Sequence, residues 1–454
     1  MAAGARARNV LLLLASLFFY AWGGLYYTWI LIFCIMAAYV FGRFIERAAG
    51  AKNKKWIFAC GVICNLLPLL IFKYAGFLAN TINRALEWFG AAPMGHVPAL
   101  PLPIGISFYV FQSMSYLFDV YRGSCPAQKN PLKLGLYVSM FPQLIAGPIV
   151  RYPQIARALD HRRLSLDGWD EGIRRFVLGL GKKLLIADTL GRVADQIMVL
   201  PPHELGAAVS WLGIACFTLQ IYYDFSGYSD MAIGLGLLLG FRLPENFNYP
   251  YASQSVREFW RSWHITLSTW FRDYVYFPLG GNRGGTIQTF RNLIVVFALC
   301  GIWHGASWNF LIWGLFHGFF LGLERTPFSR VLNASPKAVR SVYTLVVVMV
   351  GWVFFRISGF MRAVGFIGSM FGAHGIGSRF HPVAMYVNNE ILLMGIIAVL
   401  GSFPLIPKLS GADILGNRTW ALRTVSFAAT IVVFSFSILY VAGGTYNPFI
   451  YFRF

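Results

Sequence analysis

The chain has 454 residues, of which 57% are hydrophobic, 17% aromatic and only 12% charged. Soluble domains carry roughly 25% charged residues, so this composition excludes a disordered chain, a fibrous repeat and an ordinary cytosolic enzyme. Lys plus Arg number 38 against 18 Asp plus Glu, a net charge of +20, but the basic residues lie between apolar stretches and read as loop anchors beside anionic head groups rather than as a nucleic-acid surface.

Arg6 and Arg8 precede an apolar run at 10–22, as in a signal peptide. No small-x-small cleavage pattern follows, and Gly23-Gly24 leads into a second apolar run, so an uncleaved pair of membrane segments is expected. A spanning helix needs about 20 mostly apolar residues. Stretches 25–44, 56–77, 176–200, 205–239, 293–323, 341–357, 390–405 and 425–442 meet or approach that length. Shorter runs lie at 10–22, 102–117 and 133–148, the last two carrying Pro and Gly, and such runs suit broken or re-entrant helices. The expected architecture is all-α: about eleven transmembrane or re-entrant helices in one integral-membrane domain covering residues 1–454. Basic interruptions at 43–55, 151–175 and 257–291 should face the cytosol. Six scattered cysteines form no disulfide framework and read as buried small hydrophobes.

Ionisable groups at membrane depth cost roughly 2.5–3.5 kcal/mol, which makes each one a candidate. Tyr222 to Asp230 interrupts an apolar stretch with Asp224, Ser226, Tyr228 and Asp230. Two readings stand: a polar cavity whose walls bind substrate, or a structural helix break held by internal hydrogen bonds. Residues 257–274 alternate aromatics, charges and hydroxyls, as an amphipathic helix at the membrane interface does. His264 does not fit a plain anchor there, and Ser268 and Arg272 follow it as candidate substrate contacts. The Gly-rich loop 278–285 reads either as a phosphate cradle or as a turn.

The third cluster surrounds His304, with Trp303 and Asn309 as candidate substrate contacts. Imidazole is the side chain suited to take a proton from a hydroxyl near neutral pH; the alternative is a structural histidine bonded to a helix carbonyl. His317 lies thirteen residues on. On one straight helix that is about 20 Å and roughly 220° away, so the two cannot share a metal ion, and no metal site is assigned. A Ser307–His304 nucleophile pair lacks an orienting acid and a nucleophile elbow.

Several long motifs now stand in order: PLPIGISFYVFQSMSYLFDVYRG from Pro101, FPQLIAGPIVRY from Phe141, YYDFSGYSDMAIGLGLLLGFRLPENFNYPY from Tyr222, EFWRSWHITLSTWFRDYVYFPLGGNR from Glu258, GIWHGASWNFLIWGLFHG from Gly301 and PFIYFRF from Pro448. Over nearly its whole length the chain resembles the membrane-bound O-acyltransferases, in particular the bacterial branch containing the membrane subunit of alginate O-acetyltransferase. The resemblance implies tilted transmembrane helices around a central funnel, and transfer of an acyl group from a thioester to a hydroxyl or amine. It makes His304, in the WHG motif, the counterpart of the catalytic histidine, with His264 as the second polar position upstream. His317 matches a recurrent HG position and is assigned no chemistry.

The resemblance further implies acetyl-CoA as donor substrate with no permanently bound cofactor, and His304 as the base. His264, with Thr266 or Ser268, would orient the thioester or stabilise the oxyanion. It also implies the bacterial inner membrane, a periplasmic acetyltransferase or esterase-like partner protein, and an exopolysaccharide acceptor. Two other classes compete. An acyltransferase of the same fold would serve a lipid, teichoic acid or peptide. A glycan transporter would relay protons through Asp224 and Asp230, but no inverted repeat of broken helices supports it.

Overall fold

The computed structural model describes residues 4–95, 100–378, 380–405, 420–444 and 449. Every regular element among them is helical. Apart from Phe449, the C-terminal PFIYFRF motif lies outside the described residues. The chain forms two compact units, Met1–Gly172 with Leu235–Pro244, and Ile173–Gly234 with Glu245–Phe454.

The first unit opens with α1 (Ala5–Trp22) and α2 (Leu25–Arg47). Next comes α3 (Ala51–Trp88), 38 residues long. Pro68 removes one helical N–H donor inside α3, and the chain relaxes into a π turn at Leu70–Tyr74. The Pro- and Gly-bearing runs then form α4 (Ile106–Arg122), α5 (Pro131–Ser139), α6 (Phe141–Leu144) and α7 (Tyr152–Asp160). They survive as short pieces because protein surrounds them, as expected for backbone that lipid would not tolerate. Gly105, at φ +74°, starts α4, and a Cβ there would stand 2.7 Å from the Leu144 carbonyl oxygen. The PLPIG turn is thereby seated on the FPQLIAGP turn. Along α4, Gln112, Ser113 and Ser115 are all fully buried. The Tyr137 hydroxyl donates to the Val150 carbonyl at 2.9 Å.

The helix α8 (Leu166–Gly181) begins in the first unit and, in the second, continues through a π turn at Lys182–Ala187 into α9 (Asp188–Met198). Then come α10 (Ala207–Leu238), α11 (Val256–Ser262), α12 (Ile265–Phe271), α13 (Gly285–His304) and α14 (Trp308–Leu323). The unit closes with α15 (Phe328–Ala334), α16 (Lys337–Arg356), α17 (Phe360–Met370), α18 (Asn389–Gly401) and α19 (Trp420–Ala442).

Among the described residues, five helices are long and apolar enough to cross a membrane: Leu25–Arg47, Ala51–Trp88, Gly285–His304, Lys337–Arg356 and Thr424–Ala442. Shorter apolar helices accompany them at Trp308–Leu323, Phe360–Met370 and Asn389–Gly401. Two expectations change. The polar cluster at 222–230 does not interrupt its helix, because α10 runs unbroken over 32 residues. The amphipathic stretch at 257–274 is not one helix but two short ones, parted at His264.

The run 293–323 is a hairpin of α13 and α14, and glycines set its closeness. A Cβ at Gly301 would lie 2.2 Å from the Phe310 carbonyl oxygen, and one at Gly314 would lie 2.1 Å from that of Phe297. Small residues at such a contact let two backbones approach where lipid supplies no hydrophobic drive.

Candidate active site

The site is assembled in the second unit, beginning with α10. Gly179 and Gly227 bring the preceding helix within backbone contact of α10; a Cβ on Gly179 would meet the Gly227 carbonyl oxygen at 2.5 Å. The π turn then aims two consecutive lysines at two different carboxylates. Lys183 Nζ lies 2.6 Å from Asp188 and 2.9 Å from Asp224. Lys182 Nζ lies 2.6 Å from Asp230, which Arg175 also holds at 2.8 Å. The Lys183, Asp188 and Asp224 side chains are at most 8% exposed. The polar stretch therefore meets its desolvation cost sideways, through ion pairs, and leaves the helical backbone intact.

Phe225, next to Asp224, stands edge-on to the His264 ring at 4.6 Å. His264 itself is fully buried. Its backbone sits in the left-handed region at φ 43°, ψ 56°. Among the described non-glycine residues only Tyr249 shares that sign of φ. Such a conformation costs on the order of 1–3 kcal/mol and persists where surrounding bonds enforce it. Here the enforcing segment is 246–248. The Asn246 carbonyl accepts from Ile265 N–H at 2.9 Å, and Asn248 N–H donates to the Ser262 carbonyl at 2.9 Å. The Asn246 side-chain oxygen lies 3.0 Å from His264 Nδ1 and 2.9 Å from Thr266 Oγ1. Upstream, the Glu324 carboxylate accepts the N–H groups of Val256 and Arg257 at 2.7 and 3.0 Å, anchoring the start of α11. Outside the five apolar spans, burial alone pushes the His264 imidazole down to about 3.

His304 is the last residue of α13 and is 6% exposed. Three rings meet it edge-on: Trp303 at 4.9 Å, Trp313 at 5.0 Å and Phe355 at 5.3 Å. The chain then turns out of the helix at Gly305, where a Cβ would strike the Phe310 ring at 2.1 Å. Trp303 also approaches His264, with 6.3 Å between ring centroids. One indole thus joins the two histidines read from the sequence.

The other sequence candidates are distributed differently. Ser226 is buried on α10, and Tyr228 meets the Phe449 ring at 4.9 Å. Ser268 Oγ donates to the Trp263 carbonyl at 3.3 Å. Asn309 donates to the Ile357 carbonyl at 2.7 Å, tying α14 to the end of α16. Arg272 is half-exposed and paired with Asp273 at 2.6 Å, which pushes its guanidinium up. The Gly-rich loop has its Leu279 and Gly281 carbonyls held by the Asn292 amide at 3.1 and 2.9 Å. Among the described residues, no group of three or more His, Cys, Asp or Glu side chains is placed to hold a metal ion. Sequence reasoning missed Asn246, Phe225 and Phe355. None carries a charge or a motif spacing of its own, and only a partner distant in sequence reveals it.

Comparison with known proteins bears on this arrangement. The model of the membrane-bound O-acyltransferase family matches residues 128–364. The protein named probable alginate O-acetylase AlgI of Azotobacter vinelandii is 41% identical, over 99% of this chain and 95% of the relative. The peptidoglycan O-acetyltransferase of Helicobacter pylori is 32% identical, over 98% of this chain and 91% of its own. The teichoic acid D-alanyltransferase of Bacillus subtilis is 27% identical, over 58% of this chain and 67% of its own. The chain belongs to the membrane-bound O-acyltransferase family and is an O-acyltransferase.

Proposed function

We propose that this protein takes acetyl groups from cytosolic acetyl-CoA and passes them across the bacterial inner membrane for O-acetylation of an exported, alginate-like polysaccharide. The observation that carries this reading is the His304 imidazole, buried at the end of an apolar helix and joined to His264 through Trp303. The near full-length similarity to alginate O-acetylases supports acetyl as the acyl group and a uronate polymer as the acceptor.

In this reading His304 is the general base. It takes the proton of an acceptor hydroxyl as that oxygen attacks the thioester carbon. The carbon–sulfur bond breaks, and the imidazolium returns the proton to the coenzyme A sulfur. Trp303 walls the site between the two histidines. Asp224, Ser268 and Asn309 hold the walls in place through Lys183 and the Trp263 and Ile357 carbonyls. Ser226 and Tyr228 line the same helix, and Arg272 receives donor phosphate. A separate periplasmic acetyltransferase or esterase-like protein completes delivery to the polymer.

The test offers purified protein labelled acetyl-CoA or a long-chain acyl-CoA, alongside mass spectrometry of extracellular polymer from cells with and without the protein. Acetyl turnover, with polymer acetylation that depends on the protein, is expected. Preference for the long chain, or unchanged polymer with acetylated peptidoglycan instead, overturns the donor or the acceptor respectively.

A further inference from the structure

The first unit holds two guanidiniums that no carboxylate neutralises. Arg162 follows directly on the end of α7 and is only 8% exposed. Its Nη1 group donates to the Asn9 side-chain oxygen, and the Asn9 amide nitrogen donates in turn to the Leu159 carbonyl at 2.7 Å. The guanidinium carbon stands 4.8 Å from the centre of the Phe241 ring. Arg8 lies beside Asn9 in the first turn of α1, and its Nε atom is buried with no hydrogen-bond partner among the described residues. Burial first, and then the charge of Arg8, push the Arg162 guanidinium down. Neither arginine forms an ion pair with a described residue. Asp160, the carboxylate nearest to Arg162 in sequence, is taken by Lys133. A contact with one ring offsets only a small part of what it costs to bury a cation without a counter-charge. Two like charges side by side add repulsion. An anion between them would relieve both costs.

The surroundings say which anion fits. Just beyond Arg8, α1 turns a row of large apolar side chains outward: Leu11, Leu14, Phe18 and Trp22, each more than half exposed. Their spacing keeps them on one face of the helix. From Leu11 to Trp22 the row is about 16 Å long, close to half of a hydrocarbon core of about 30 Å. A soluble anion would use the arginines and leave the row bare, whereas a lipid uses both. We propose that Arg8 and Arg162 form a binding site for the phosphate of an anionic phospholipid whose acyl chain lies along the Leu11–Trp22 face of α1. Asn9 holds Arg162 by Nη1, which leaves its other N–H groups for phosphate oxygens. A zwitterionic lipid carries the same phosphate together with an ammonium that two guanidiniums repel, so the site selects a net negative head group. The acyl-transfer chemistry plays no part in this inference.

The full chain in detergent, titrated with dioleoyl phosphatidylglycerol or phosphatidylcholine and read by native mass spectrometry, tests this. One phosphatidylglycerol is expected to bind about tenfold more tightly than phosphatidylcholine. Arg162→Met and Arg8→Gln are each expected to weaken that binding about tenfold. Arg330→Gln, at an exposed arginine of α15, is expected to leave it within about twofold. Unfolding temperature separates loss of the lipid from loss of the fold. In phosphatidylcholine nanodiscs Arg162→Met is expected to unfold no earlier than the parent, because an uncompensated buried cation has gone. Adding phosphatidylglycerol is expected to raise the unfolding temperature of the parent more than that of Arg162→Met. Equal phosphatidylglycerol binding by the two proteins, or equal affinity of the parent for the two lipids, overturns the site. Earlier unfolding of Arg162→Met in phosphatidylcholine makes the arginine an internal tie to Asn9 and overturns it as well. If inorganic phosphate or coenzyme A stabilises the parent in phosphatidylcholine as strongly as phosphatidylglycerol does, and Arg162→Met abolishes that gain, the arginines hold a soluble phosphate and the lipid assignment falls.

Discussion

His264 and His317 are both fully buried, and both are packed edge-on by aromatic rings. Trp260 stands 5.1 Å and Trp313 5.2 Å from the His317 ring. Gly351 leaves room for its Nε2, which would lie 2.5 Å from a Cβ on that glycine. Among the described residues, neither ring nitrogen of His317 has a hydrogen-bond partner. His264 instead shares the Asn246 oxygen with two donors of Thr266, on a backbone held left-handed. Burial and aromatic neighbours make a histidine costly in either place. What separates the two is direction: only His264 has its proton assigned to one nitrogen by a fixed acceptor.

The largest effect sets the scale for that comparison. His304→Ala is expected to reduce acetyl transfer by about 10³-fold, with protein level and membrane insertion unchanged. Near-normal turnover in that variant would move the base elsewhere. Next, Lys183→Met leaves Asp188 and Asp224 buried without their shared cation. It is expected to destabilise the folded protein by about 3–5 kcal/mol, read as a lower unfolding temperature in detergent.

His264→Asn sharpens the contrast, because asparagine tolerates the left-handed backbone and so isolates the loss of the ring. Its expected cost is on the order of 10²-fold in kcat, at little change in thermal stability. The smallest effect belongs to His317→Leu. Replacing a buried polar ring that makes no hydrogen bond by an apolar group of similar volume is expected to hold stability within about 1.5 kcal/mol and activity within about twofold. If His317→Leu and His264→Asn were equally inactive, direction would not be what distinguishes the two histidines.

Much of this was legible in the residues. Apolar length located α2, α3, α13, α16 and α19, since lipid demands long apolar helices and their sequences show little else. The Pro- and Gly-bearing run at 133–148 announced a broken element, split between α5 and α6, whereas 102–117 became one unbroken 17-residue helix, α4, after its Pro-Gly turn. The stretch 222–230 misled because hydropathy counts each polar side chain against a helix without seeing its partner. Lys183 lies 41 positions before Asp224, on a helix whose π turn no periodicity signals. The break at His264 was equally hidden, since neither glycine nor proline stands there. Asn246 belonged to a quoted motif, yet its role depends on a loop folding back onto residues 18 and 20 positions away.

Gly305 carries a consequence for how this chain tolerates change. The space that a side chain there would need is filled by the Phe310 ring, which packs 5.1 Å from Phe355, itself a wall of His304. Any larger residue at 305 would push through two rings onto the imidazole without touching it. A saturation screen scored by acetylation should therefore find position 305 nearly as intolerant as 304, although it contributes no functional group at all.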